Sequence, residues 1–444
     1  MSILTKIRHR TGLRASLSNI GWLSGDRIVR MLGGVIVGTA VARYLGPGQF
    51  GLLNYGLAIY GLFNIVSNLG LDFLVVRDVA LDESRSPQIL GTSFILKGVA
   101  SVITTVAAIA ATKLLEPQNA VLIVIVALMS LASISQALDV IDYFFQARTQ
   151  SRYSVVPRNI VFVLASIARL AAIFLHQSLL VFAWIAALEV LLSELGLAVS
   201  YVYSRRLWPR WNWHMPHARS LLVESWPLLV SSLMIMVYMR SDQILLGKLA
   251  SEAAVGEYSA AIRLSEIWYT IPVIICASVM PRMLKSREEN PQRYYARLQR
   301  LYDGMVLFSV VVAVCTQFLG PLMVRLLYGR QYTSAAGILS VHIWTGVFVF
   351  VGCVSGQQLI QEKLTLNTLQ RTALGAIVNV ILNIIWIPRW GVIGSAMATL
   401  VAQSIASYFA DFLQSKTRHI FRMKTRAYLR FWMVPRTLFL NVHE

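Results

Sequence analysis

Charge is scarce in this chain. Of its 444 residues 14% are charged, against about 25% in soluble globular proteins, and 56% are hydrophobic. A water-soluble globule is excluded. Acidic residues are scarcer still, with 21 Asp and Glu against 40 Lys and Arg and a net charge of +19. Such a balance would suit nucleic acid, but the excess sits in short loops between apolar runs, where the positive-inside rule expects it. This placement favours acidic membrane lipids and an anionic ligand as partners, not nucleic acid. Cysteine is nearly absent. Cys276, Cys315 and Cys353 all fall in apolar runs without metal-ligand spacing, which reads as buried, inert thiols and no bound metal or cofactor. The first residues, MSILTKIRHRTGLRASLSN, lack the short apolar core and small-residue cleavage site of a signal peptide, so none is expected.

What the chain has in abundance is long apolar runs. About twelve of them reach the roughly 20 residues that a helix needs to cross a bilayer: 19–43, 52–76, 91–113, 119–147, 158–177, 179–203, 222–247, 254–281, 303–327, 333–361, 368–388 and 391–415. Loops such as His176-Gln177-Ser178 and Arg389-Trp390 are so short that the helices they join should be antiparallel neighbours. Basic residues alternate from loop to loop. One side carries Arg77, Arg85, Arg148, Arg152, Arg205, Arg206, Arg210 and Arg219, among others, while the other has only a few such as Arg43, Lys113 and Arg330. Both termini are therefore expected in the cytoplasm.

The stretch YSRRLWPRWNWHMPHARS (203–220) is polar, basic and proline-bearing, and divides the runs six and six. The expected organisation is a basic N-terminus (1–18), a first lobe (19–204), a cytoplasmic linker (205–221), a second lobe (222–415) and a basic amphipathic tail (416–444). Weak self-similarity joins the halves, as in FFQARTQSRYSVVPRN after span four and LIQEKLTLNTLQR after span ten. Six spans per lobe give both lobes one orientation, so the fold class is an all-α membrane protein whose lobes are related by a pseudo-two-fold along the membrane normal, with a substrate expected between them. The tail reads either as a helix lying on the inner leaflet or as a disordered basic segment. Trp386 and Trp390 read as interfacial anchors or as a sugar-stacking pair.

Several runs contain charge, which costs roughly 3 kcal/mol or more per group unless it faces protein or water. Span one carries Asp26, Arg27 and Arg30, followed by Gly34-x-x-x-Gly38, a spacing that lets a second helix approach closely. Asp72, Lys97, Asp139, Asp142, Arg169, Glu189, Glu194, Arg240, Asp242, Arg263 and Glu266 are the other intramembrane charges. Arg27, Arg30, Arg240 and Arg263 are the candidate substrate-binding cations, because a guanidinium stays charged in an apolar setting and offers paired donors to a diphosphate. The alternative is ion pairing, Asp26 with Arg30 and Arg263 with Glu266, that fixes helix register; for Asp242 and Glu266 this structural reading is preferred. Asp139 and Asp142 are read as balancing the Arg148 and Arg152 loop. Coupling to an ion would need a carboxylate, for which Asp26, Glu189 and Glu194 are candidates.

Four segments, GTAVARYLGPGQFGLLNYGLA (38–58), GLDFLVVRDVA (70–80), FFQARTQSRY (144–153) and AIVNVILNIIWIPRWGVIGSAMATLVAQ (376–403), resemble the bacterial polysaccharide exporters. These are the O-antigen and lipid-linked oligosaccharide flippases, related to the multidrug and toxin extrusion transporters. In the last segment Asn379, Asn383, Pro388, Gly391, Gly394 and Ala396 match the family's pattern. Pro388 is expected to end a helix there, with Gly391 and Gly394 allowing close packing. The resemblance implies a flippase that carries a polyprenyl-diphosphate-linked oligosaccharide (an O-antigen, capsule or exopolysaccharide repeat unit) from inner to outer leaflet by alternating access, not an enzyme. It implies the bacterial cytoplasmic (inner) membrane, with a polysaccharide polymerase and chain-length proteins as further partners. The two extra spans of the peptidoglycan-precursor flippases are missing. The alternatives are a cation-coupled small-molecule exporter of the same fold, a membrane enzyme, and a non-transporting scaffold.

Overall fold

A computed structural model describes residues 3–205, 210–362 and 364–433, and among them every regular element is helical. Ten helical stretches are long and apolar enough to cross a membrane. Two of these, Val29–Leu81 and Leu366–Leu413, are 53 and 48 residues long, far beyond the roughly 20 that one crossing needs. Each is broken at a glycine: Gly46 (φ 73°, ψ 170°) within α1 (Ile3–Ser67), and Gly391 (φ 58°, ψ −137°) within α14 (Thr365–Ser404). Counting both halves of each gives the twelve crossings that hydropathy predicts. At the second break the chain folds back on itself, since a Cβ on Gly394 would lie 2.5 Å from the carbonyl oxygen of Trp386. Against the expectation from sequence, Pro388 does not end the helix; the break comes at Gly391, because only glycine takes that positive φ without strain.

Two compact units divide the chain, one of residues 1–45 and 52–236 and the other of residues 46–51 and 237–444. The division falls within the continuous helix α8 (Met215–Leu249); of the expected linker, residues 206–209 lie outside the described residues.

The first unit also contains α2 (Asp72–Leu81), α3 (Ser86–Leu115), α4 (Ala120–Ser133), α5 (Val140–Ala147), α6 (Arg152–Phe174) and α7 (Leu179–Arg205). Its core joins Leu71, Val75 and Leu90 to Val140, Phe144, Phe145 and Tyr201. Leu69 and Gly70 take positive φ between α1 and α2, and a Cβ on Gly70 would press on the Leu229 backbone nitrogen. This turn leaves Asp72 exposed rather than buried as its run suggested. The Gly34-x-x-x-Gly38 reading also shifts. Among the described residues nothing approaches Gly34, whereas a Cβ on Gly33 would meet the Phe162 ring at 2.8 Å.

The second unit comprises residues 46–51, the end of α8, α9 (Glu252–Glu266), α10 (Thr270–Glu289), α11 (Pro291–Leu327), α12 (Ala335–His342), α13 (Thr345–Gln361), α14, α15 (Ala410–Leu413) and α16 (Arg418–Arg430). Gly51 and Gly256 cross in backbone contact. A Cβ on Gly51 would overlap the Glu252 carbonyl, and one on Gly256 the Pro47 carbonyl. Gly256→Val should therefore cost about 1–3 kcal/mol through overpacking, read as a lowered unfolding temperature of the purified protein; an unchanged midpoint would refute the crossing. Cys276 is buried within hydrogen-bond reach of Cys353, whereas Cys315 is exposed, against the reading of three buried thiols.

The tail departs most from expectation. α16 packs onto the second unit through Ile420, Met423 and Ala427, and Lys424, grouped in sequence with the surface cations, is wholly buried. Its ammonium donates to Asp411 Oδ2 at 2.5 Å, to the Ser407 carbonyl at 2.6 Å and to Ser355 Oγ at 2.8 Å. Residues 434–444 of the tail lie outside the described residues.

Candidate functional site: a charged cavity within the first unit

A cavity of about 480 Å³ opens among the helices of the first unit, with Asp26, Arg30, Gln136, Arg158, Arg169 and Glu194 on its walls. Span four supplies its centre. The helix tightens into a 3₁₀ stretch over Ile134–Asp139 before α5 resumes. Tighter winding brings side chains three apart into line, and Asp139 and Asp142 both reach one guanidinium. Arg158, one residue after Pro157 in α6, donates to Asp139 Oδ1 at 2.5 Å, to Asp142 Oδ2 at 3.0 Å and to Glu194 Oε1 at 3.2 Å. Lys97 of α3, 2% exposed, completes the cluster, donating to Asp139 Oδ2 at 3.2 Å and to the Tyr143 hydroxyl at 3.1 Å.

Two separate pairs flank this cluster. Arg169 meets Glu189 at 2.5 Å, and Arg30 meets Asp26 at 2.9 Å while lying over the Phe162 ring at 5.4 Å. Those pairs are balanced one to one. The central group is not: two cations, Lys97 and Arg158, face the three carboxylates Asp139, Asp142 and Glu194. Glu194 is 4% exposed, and its second oxygen, Oε2, is buried with no hydrogen-bond partner among the described residues. An unpaired buried carboxylate oxygen is costly, and one bound proton or monovalent cation would restore both hydrogen bonding and charge balance.

The structure thus brings Asp26, Arg30, Glu189 and Glu194 to one cavity, while the side chain of Arg27 lies outside the described residues. Asp139 and Asp142 do not balance the Arg148 and Arg152 loop as expected. Arg148 instead pairs with Glu83 at 3.1 Å, and Arg152 donates to the Tyr153 hydroxyl. Arg158, the first residue of the apolar run 158–177, is the residue sequence reasoning missed. The internal repeat offered a signal, because Arg158 and Arg371 are each the seventh residue of their helices, α6 and α14.

In the second unit Arg240 donates to Gln243 Oε1 at 3.2 Å, and Arg263 lies over the Phe50 ring at 5.7 Å. Asp242 is buried and held by neutral donors. Asn383 Nδ2 donates to Oδ1 at 2.7 Å, and the Tyr258 and Thr399 hydroxyls donate to Oδ2 at 2.5 Å each. Asn379 accepts from the Ser241 hydroxyl at 2.7 Å and from Asn383. The two asparagines of the motif in span eleven thus tie α8, α9 and both halves of α14 together. This is the register role expected of Asp242, achieved without an ion pair among the described residues.

Residues 16–287, more than half of the chain, match the family described as "Polysaccharide biosynthesis protein". The chain belongs to that family. Among the relatives of this polysaccharide biosynthesis family member is the "Probable flippase AglR" of Haloferax volcanii, 30% identical over 184 residues, or 39% of this chain and 37% of the relative. Another is the "Probable low-salt glycan biosynthesis flippase Agl15" of the same organism, 22% identical over 46% of this chain and 44% of the relative. The chain thus spans less than half the length of either. Solved structures extend the likeness to nearly the whole fold. The lipid II flippase MurJ in an inward closed conformation matches with a TM-score of 0.69 at 12% identity, covering 95% of this chain and 93% of that one. An inward-facing multidrug resistance MATE family transporter matches at 0.73 and 13% identity, over 94% and 99%. These likenesses fix the fold. With its apolar helices, the family member is a multi-pass membrane protein.

Proposed function

We propose that this protein is a flippase that moves a polyprenyl-diphosphate-linked oligosaccharide from the inner to the outer leaflet of the bacterial cytoplasmic membrane, both termini facing the cytoplasm. The observation that carries the reading is a polar chamber of about 480 Å³ with guanidinium groups on its walls inside a bundle of membrane helices, in a member of a polysaccharide biosynthesis family. The glycan flippases among its relatives support the cargo class. Arg30 in the first unit and Arg240 and Arg263 in the second, with Arg27, hold the diphosphate during the cycle. Among the described residues Arg30 is engaged by Asp26 and Phe162, so a diphosphate would exchange for one carboxylate. Six crossings form each lobe, and a polymerase and chain-length proteins would receive the product.

A flipping assay in reconstituted vesicles tests this directly. Each of Arg30→Ala, Arg240→Ala and Arg263→Ala should slow transport about tenfold or more, since a hydrogen bond to a charged group contributes roughly 1.5–3 kcal/mol. Unchanged flipping in all three would refute the assignment.

The surplus carboxylate supports coupling to a cation, with Glu194 as the carrier. The groups that face it are Lys97, Asp139, Asp142 and Arg158, with Tyr60 and the Arg169–Glu189 pair nearby. Glu194→Gln keeps the shape and holds the neutral state, so flipping should lose its response to an imposed proton gradient while cargo binding persists. A wild-type rate indifferent to both proton and sodium gradients would refute coupling. The same carboxylate is what a cation-coupled small-molecule exporter would use, the second reading favoured by the likeness to the MATE transporter.

A further inference from the structure

The second unit carries a basic groove that the transport reading does not use. It lies between the first turns of α11 and the flank of α16, has a volume of about 570 Å³, and is lined by Tyr295, Gln299, His419, Arg422 and Arg426. The two helices are stitched together at its floor, where Gln299 Nε2 donates to the Met423 carbonyl at 3.0 Å and to Asp303 Oδ1 at 2.8 Å. Tyr295 and His419 meet edge to face across it, with ring centroids 6.3 Å apart. Arg422 and Arg426 are exposed and have no acidic partner among the described residues. Arg297 and Arg300 on α11, and Arg430 on α16, extend the exposed basic surface along both helices. Acidic groups nearby are already engaged: Asp303 by Gln299, and Glu362 by His419 at 3.1 Å.

Unpaired arginines crowded on two packed helices repel one another, so an anion there relieves the repulsion and satisfies the donors. The opposite flank of α16 indicates where that anion comes from. Phe421, Tyr428 and Trp432 share that side, with Trp432 exposed, and Phe412 and Leu413 are exposed apolar groups at the end of the last crossing. A helix with an aromatic flank and a basic flank, following directly on a membrane span, sits at the headgroup level of a bilayer.

We propose that this groove binds the phosphate headgroup of an anionic phospholipid, with Arg422 and Arg426 as the contacts and Tyr295, Gln299 and His419 as its walls. The site is separate from the cargo path and does not depend on what the lobes carry; only its assignment to the inner leaflet rests on the topology proposed above. The lipid links α16 to α11 and so stabilises the docked tail.

The test titrates the purified full chain in detergent with phosphatidylglycerol and follows its thermal unfolding midpoint. Phosphatidylglycerol should raise the midpoint saturably and phosphatidylcholine should not. The double variant Arg422→Gln, Arg426→Gln should need about 30-fold more lipid, the equivalent of roughly 1 kcal/mol per arginine, whereas Arg330→Gln should respond as wild type. An equal response to phosphatidylcholine would overturn the proposal. So would a full response to soluble glycerol phosphate, which would make the groove a free-anion site, or a double variant that keeps wild-type affinity. Native mass spectrometry of the same samples gives a second readout, with phosphatidylglycerol retained on wild type and lost from the double variant.

Discussion

Arg158→Ala is expected to abolish measurable flipping and to destabilise the protein by up to about 3–5 kcal/mol, the cost of removing one partner from a fully buried ionic cluster; Arg158 and Asp139 are half-buried, so the loss should lie towards the lower end. The size of the effect follows from the geometry. One guanidinium serves Asp139, Asp142 and Glu194 at once, and without it Lys97 alone would face all three carboxylates. Protonation can relieve part of that strain, so the loss should be smaller at low pH than at pH 8. Arg158→Lys should fall between, because an ammonium cannot span three carboxylates as a planar fork does. Thermal unfolding in detergent reads the stability term and vesicle flipping the transport term. A stable Arg158→Ala protein at pH 8 would show that the cluster is not held together as described.

The second large effect is expected at the buried ammonium of α16. Lys424→Ala leaves Asp411 buried without its ion-pair partner, with only the more distant Arg371 to offset its charge, and should cost up to about 3–5 kcal/mol, seen as release of the C-terminal helix to protease. Replacing both partners, Lys424→Met with Asp411→Leu, should recover most of that loss, since apolar substitutes of similar volume often match a buried ion pair. A double variant as damaged as the single would refute the pairing as the cause. Burial pushes the Lys424 ammonium down from its ordinary value of 10.5 to about 8, with Asp411 opposing the shift. Between those values the unfolded chain holds the proton and the folded one does not, so folding becomes more favourable as pH rises from about 8 towards 10.5. Wild type should therefore gain stability across that window and the apolar double variant should not. Identical pH profiles would rule out Lys424 as the titrating group.

Particular residues show how far the sequence could be read. Gly46 and Gly391 interrupt helical stretches too long for one crossing, and beside Gly391 the chain folds back on itself. The pairing of Asp26 with Arg30 was legible because residues four apart on a helix are neighbours. Arg158 was not, because its three acceptors come from a 3₁₀ stretch, from α5 and from α7, up to 36 residues away. Lys424 misled for a related reason. In a run of arginines it looks like one more surface cation, yet on the helix it falls on the same side as Ile420, Met423 and Ala427, and that is the side α16 buries.

By itself the sequence determined the class of this protein: apolar stretches of membrane length and basic loops on alternate sides leave a polytopic helical bundle as the only way to satisfy the backbone in lipid. Tertiary structure alone decided which charges meet. In a low-dielectric interior the partner of a buried ion is set by helix packing and not by spacing along the chain, so the three-carboxylate grip on Arg158, the unpartnered oxygen of Glu194 and the buried Lys424 ammonium become visible only once the helices are assembled.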